Sequence, residues 1–157
     1  MILFFRAVAG TFDNKVVKFD TRESFKKMSF YKSHSRPVLK VKMTPTRIYS
    51  ISEDMNLVIH DRVAGKLFKK LKIPQVMDQD GQRRYPLSMD AVGNCLYVGD
   101  SSGNLNLFDT TADTAFQFVQ SYKTGKVKFC ILAAALVSSK ERDPSLITHK
   151  SLKTNIS

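Results

Sequence analysis

Three spaced copies of one pattern predict an all-β fold: a partial β-propeller of about three four-stranded antiparallel blades with a flexible C-terminal tail. The first observation is a segment that recurs at residues 10–20 (GTFDNKVVKFD), 51–61 (ISEDMNLVIHD) and 99–109 (GDSSGNLNLFD). Its closing aspartates, Asp20, Asp61 and Asp109, stand 41 and 48 residues apart, at or just above the ~40 to 45 residues of one propeller blade. The second is internal agreement, because Val16, Leu57 and Leu105 lie four residues before the closing aspartate and Phe19, His60 and Phe108 lie one before it. The third is alternation. Leu39, Val41 and Met43 match Leu87, Met89 and Ala91 at equal offsets, which is the period of a strand with one face toward a core.

Taken in order, the first unit offers a strand at 4–9, the closing strand to Asp20 and an outer strand at 25–28. The second offers an inner strand, a turn at Thr44-Pro45-Thr46, a strand at 48–51, the closing strand and an outer strand at 68–71. The third repeats this with a turn at Val92-Gly93-Asn94, a strand at 96–99 and an outer strand at 116–122. The predicted blades span about 2–31, 37–73 and 85–122, and residues 127–132 read as the first strand of a fourth within a propeller region of 1–137. Residues 138–157 are polar and rich in Lys, Ser and Thr, the composition of a disordered tail. No unit of this kind buries its own sheet faces, so neighbouring sheets must stack. The first unit begins at its second strand, and a closed propeller needs at least ~4 blades. A truncated product is therefore the expectation, one that needs further blades or another chain to close.

The repeated ending, a tight turn with Asp13 or Asp54 and a strand closing in Phe19-Asp20, His60-Asp61 or Phe108-Asp109, resembles the WD-repeat family of propellers. The Trp of that family's ending is absent each time, and Ser102 stands where the third turn aspartate is expected. The family's Gly-His pair has one counterpart, Ser33-His34, 26 residues before His60. The resemblance implies that His34, Asp54 and Ser50 or Ser52 form a buried structural hydrogen-bond network. It also implies a non-catalytic scaffold that binds other proteins.

Charge is segregated along the chain. Residues 1–72 hold 16 Lys or Arg against 6 Asp or Glu, while residues 73–122 hold 2 against 6. Lys26, Lys27, Lys69, Lys70 and Lys72 on equivalent outer strands, with Arg83 and Arg84 in the long loop before the third unit, make a candidate basic contact surface. This is the alternative function: a module contacting RNA or acidic phospholipid, since clustered cations concentrate anions. Lysines on outer strands also serve to deter edge-to-edge aggregation.

Enzyme chemistry has no foothold. There is no nucleophile elbow, phosphate-cradling glycine loop, HExxH or CxxC, so catalytic, cofactor and metal residues are all expected to be none. Asp78 and Asp80 lie in a polar Asp-Gly loop without the later Glu of a calcium hand, and read as a solvated turn. Cys95 and Cys130 sit in apolar stretches and read as buried structural thiols. The apolar run 129–137 is far short of the ~20 residues that span a bilayer. With no secretory signal pattern, the expected location is intracellular: the cytoplasm, with the nucleus as the other compartment.

Overall fold

The computed structural model describes residues 6–22, 24, 26–74, 84–111 and 116–123. They form eleven strands: β1 (Arg6–Gly10), β2 (Val16–Asp20), β3 (Lys26–Tyr31), β4 (Val38–Met43), β5 (Arg47–Ser52), β6 (Asn56–Asp61), β7 (Leu67–Lys72), β8 (Pro86–Val92), β9 (Cys95–Asp100), β10 (Asn104–Asp109) and β11 (Gln117–Lys123). Each strand pairs antiparallel with the next within its sheet, giving β1-β2-β3, β4-β5-β6-β7 and β8-β9-β10-β11. The described residues are thus all-β, three sheets arranged as blades of a partial propeller. The start of a fourth blade at 127–132 and the tail at 138–157 lie outside the described residues.

The repeat extends to local irregularities. The pairing of each closing strand with its outer neighbour shifts register just before the closing aspartate, at Lys18/Phe19, Ile59/His60 and Leu107/Phe108. Such bulges bend the strand and raise its twist. The turns before β2, β6 and β10 each place one residue in the left-handed region: Asn14 (φ 68°), Met55 (φ 58°) and Gly103 (φ 77°). Asparagine and glycine tolerate that region, whereas a methionine there is strained by of order 1 kcal/mol or more. The buried Met55 side chain packs in the core and its carbonyl accepts the Ile73 N–H at 2.9 Å, which holds it there.

The sheets pack face to face, with β4 beside both β1 and β8. In β5 and β6, alternate residues serve opposite interfaces. Tyr49, Ile51, Leu57 and Ile59 meet Leu96, Val98, Phe108 and Phe116 of the third sheet. Ile48 and Val38 meet Val16 and Tyr31 of the first. Both faces of the middle sheet are covered, so β6 is buried at five successive positions, whereas β10 alternates buried and half-buried. Cys95 is a correction to the sequence expectation. It is only half-buried, because its neighbour Leu96 takes the core side of β9 and period-2 alternation turns Cys95 to the opposite face.

Gly10 ends β1 where the first two sheets touch. A Cβ added there would lie 2.6 Å from Val38 Cγ1 and 3.0 Å from Val38 Cβ. The β-branched Val38 cannot rotate away freely. Gly10→Ala is therefore expected to destabilise the chain by about 1–3 kcal/mol in urea unfolding, while Gly93→Ala meets no atom within 4 Å and is opposed only by its positive φ.

Candidate functional site

The connector between β3 and β4 carries Ser33, His34, Ser35 and Arg36 from the first sheet to the second. His34 is buried at 6% exposure. Its Nδ1 lies 3.2 and 3.3 Å from the two Asp54 carboxylate oxygens, and its Nε2 lies 2.8 Å from Ser50 Oγ. With the carboxylate ionised, Nδ1 carries the proton and donates to Asp54, and Ser50 donates to Nε2. Asp54 also accepts the Ser35 N–H at 3.0 Å and the Asn56 N–H at 3.0 Å. Ser52 takes a separate place, donating to the Arg36 carbonyl at 2.9 Å and accepting the Asp54 N–H at 3.2 Å. The structure thus brings His34, Ser50, Ser52 and Asp54 together, with the two serines in different roles.

Electrostatics keep this cluster as a neutral imidazole beside a carboxylate. Burial lowers the His34 pKa and outweighs the attraction of Asp54. For Asp54, burial is the largest effect and raises the pKa, but the N–H donors of Ser35 and Asn56 together with His34 overcome it and hold the carboxyl below its ordinary value. A hydrogen-bonded carboxylate can stay ionised in a buried site for this reason.

A second histidine joins the first sheet to the second. His60 is 1% exposed, stacks on the Tyr31 ring at a centroid distance of 4.4 Å, and has Nε2 2.8 Å from Ser33 Oγ. Its Nδ1 has no hydrogen-bond partner among the described residues. Protonation would bury an unpaired N–H and a charge, and burial followed by repulsion from His34 lowers the pKa to about 4. His60 occupies the position where Phe108 fills the core of the third sheet.

The other repeat aspartates are turn-formers. Asp61 Oδ1 accepts the N–H groups of Val63 and Ala64 at 2.8 and 2.7 Å, and Arg47 donates to Oδ2 at 2.6 Å. Asp20 accepts the Arg22 N–H at 3.0 Å and its guanidinium at 2.7 Å, which with other effects holds its pKa at about 2. Asp109 accepts the Thr111 N–H at 2.7 Å. Asp13, by contrast, bonds only locally to Thr11 and Lys15. In the third sheet Asp100 does the work expected two residues later at Ser102, accepting the N–H groups of Ser102 and Asn104 at 2.9 Å each. Asp100 in the Gly99-Asp100 step and its Asn104 partner are the sequence signals for this.

The basic residues are less united than their sequence offsets suggest. Lys26 and Lys27 lie on β3, and Lys69, Lys70 and Lys72 on β7, the outer strands of two different sheets. Successive strand residues face opposite ways, so Lys69 and Lys70 cannot share a face. Lys70 donates to the Ser33 carbonyl at 3.1 Å and is tied to the connector. Arg84 is a correction: it is 8% exposed just where the chain enters β8, and so is not part of an exposed basic surface. Arg83, Asp78 and Asp80 lie outside the described residues. Among the described residues no group of three or more His, Cys, Asp or Glu side chains is placed to hold a metal, and no helix is long and apolar enough to cross a membrane.

The turn before β2 presents Phe12 at 89% exposure. That turn is held by the Thr11 N–H to the Lys15 carbonyl at 3.0 Å and by the Val38 N–H to the Thr11 carbonyl at 3.1 Å. An aromatic is thereby displayed on an anchored turn beside the start of β4, close in sequence to the exposed Ser35 and Arg36 of the connector.

Comparison with known proteins gives a consistent picture. The chain is 32% identical over 118 residues to human F-box/WD repeat-containing protein 9, and 31% identical over 118 residues to the bovine protein of that name. Each match covers 75% of this chain and 24% of the relative, so the chain spans about a quarter of the length of these curated relatives. Among solved structures, the computationally designed Ika8 protein matches with a TM-score of 0.61 at 11% identity, over 83% of this chain and 37% of that one, a likeness of fold alone. No family model matches.

The low His60 pKa has a consequence for stability. Between the ordinary imidazole value of 6.5 and about 4, the unfolded chain binds a proton that folded His60 refuses. Stability is therefore expected to be intact above pH 6.5, to fall as pH drops toward 4, and to level off below, a loss on the order of 3 kcal/mol from His60. Urea unfolding at stepped pH measures it, and His60→Phe, which keeps a ring against Tyr31, should reduce the slope to the part that His34, also lowered by burial, contributes. Asp54→Ala should cost about 2 kcal/mol at neutral pH, because the buried His34 Nδ1–H and the Asn56 N–H lose their acceptor together with the exposed Ser35 N–H.

Proposed function

We propose, on the premise that this chain is a partial relative of the WD-repeat proteins, that it acts as a protein-interaction scaffold of the WD-repeat type. The observation that carries the reading, beside that relationship, is Phe12: a large aromatic 89% exposed on a turn whose backbone is hydrogen-bonded on both sides. Aromatic anchors of this kind are enriched at the centres of protein interfaces and lose little entropy when already positioned. The sheets beneath hold that turn in place.

The basic outer strand β7 supports a secondary reading, contact with RNA or acidic phospholipid, because Lys70 and Lys72 are exposed along it and Lys66 is exposed just before it. Binding through those lysines would weaken steeply with added salt.

The test is capture of partners on the immobilised full-length protein, with bound proteins identified by mass spectrometry. The wild type is expected to retain a stable partner at moderate salt, and Phe12→Asp to weaken that complex by about tenfold or more. Recovery of no stable protein partner, or of one indifferent to Phe12→Asp, overturns the reading.

A further inference from the structure

We propose that Ser35 is a phosphorylation site, modified by a serine kinase that selects a basic residue three positions ahead of its acceptor, and that the phosphate releases the connector from Asp54. Four serines surround the His34–Asp54 cluster, and only one is open to a kinase. Ser50 and Ser52 are 0% exposed. Ser33 is half-buried with its hydroxyl on His60. Ser35 is exposed, outside any strand, with exposed Lys32 three residues before it and exposed Arg36 directly after it. Kinases discriminate substrates largely by such charge patterns.

The consequence follows from where the hydroxyl sits. Ser35 Oγ lies 3.4 Å from Asp54 Oδ2, the same oxygen that accepts the Ser35 N–H at 3.0 Å and faces His34 at 3.2 Å. In the transfer, the Ser35 oxygen bonds to the γ-phosphorus of a nucleoside triphosphate as the bond to the β-bridging oxygen breaks. The nucleoside diphosphate leaves, and the hydroxyl proton passes to the kinase's base. A group of charge about −1.5 to −2 then stands beside a carboxylate that is itself ionised, and like charges this close disrupt the segment that holds them. Arg36, 3.9 Å from Glu53, is the nearest cation in sequence and is drawn to the phosphate, which removes its contact with the turn carrying Asp54. Both effects loosen the attachment of the connector to the second sheet, a switch by charge of the kind that melts local structure.

The test treats the full chain with adenosine triphosphate and a basophilic serine kinase, maps the phosphate by mass spectrometry, and compares amide hydrogen exchange before and after. Phosphate is expected on Ser35 and not on Ser33, with Lys32→Ala removing most of the incorporation. Exchange at the Ser35 and Asn56 amides, both bonded to Asp54, is expected to rise by about tenfold, with β9 and β10 unchanged. No incorporation at Ser35 overturns the proposal, and so does stoichiometric phosphorylation that leaves those two amides as protected as before.

Discussion

A pleated sheet has two faces, and a sheet of four short strands cannot bury either alone. That constraint organises this chain. The middle sheet is covered on both sides, and its two central strands are buried at nearly every position, from Ile48 to Ser52 and from Asn56 to His60. Burial at both faces is the regime in which strands become continuously apolar, and β5 and β6 approach it with Ile48, Tyr49, Ile51, Leu57, Val58 and Ile59. The polar exceptions, Ser50, Ser52, Asn56 and His60, are the positions that need hydrogen-bond partners. Those partners come from the connector and from the turn before β6.

The two interfaces of the middle sheet consequently differ in chemistry. Toward the third sheet the contact is mainly apolar and aromatic, with Phe116 edge-on to Phe68 at 5.5 Å and Arg47 lying over Phe68 at 4.2 Å, and a half-exposed ion pair, Lys42 to Asp90 at 2.6 Å, spans it from β4 to β8. The apolar part of this contact is stabilised by area and varies little with pH. Toward the first sheet the apolar cluster is smaller, and it is supplemented by the Tyr31–His60 stack, the Ser33 hydroxyl and the His34–Asp54–Ser50 chain. A satisfied polar network fixes one geometry because each member has few ways to be satisfied. It also exposes that interface to acid and to added charge.

Much of the fold was legible because the repeat is enforced by local backbone needs. Asp20, Asp61 and Asp109 recur because the N–H groups of the turn after each closing strand need an acceptor, and a carboxylate two residues back supplies it. Alternation in β4 and β8 was legible for the same kind of reason. His34 and Asp54 stand out through the family resemblance, and they lie 3.2 Å apart. What was hidden depends on contacts between sheets or on a side chain's direction. No periodicity shows that His60 stacks on Tyr31, that Arg84 is buried, or that Phe12 is exposed. Asp100 was missed because it caps its turn from two residues earlier than Asp54 does. Cys95 was misjudged because an apolar neighbourhood in sequence includes both faces of a strand.

The six residues from Lys32 to Pro37 form no strand, yet four of them are bonded to the second sheet where it meets the first. Ser33 reaches His60, His34 enters the interior toward Ser50, Ser35 binds Asp54 through its N–H, and the Arg36 carbonyl accepts from Ser52. Alternate residues thus point to different anchors on one sheet, and none of these bonds is repeated elsewhere in the described residues. Where the chain enters the third sheet, Tyr85 exchanges bonds with Ser101 at 3.2 and 2.9 Å. A segment whose anchors are few, polar and mutually adjacent opens as a unit, because losing Asp54 as an acceptor frees Ser35 and His34 at once. The first sheet therefore docks on the second through this short loop as well as through the apolar cluster of Val16, Tyr31, Val38 and Ile48, and the end of the loop lies beside the turn that displays Phe12. The Val38 N–H to Thr11 carbonyl bond at 3.1 Å joins that turn to the strand in which the connector ends.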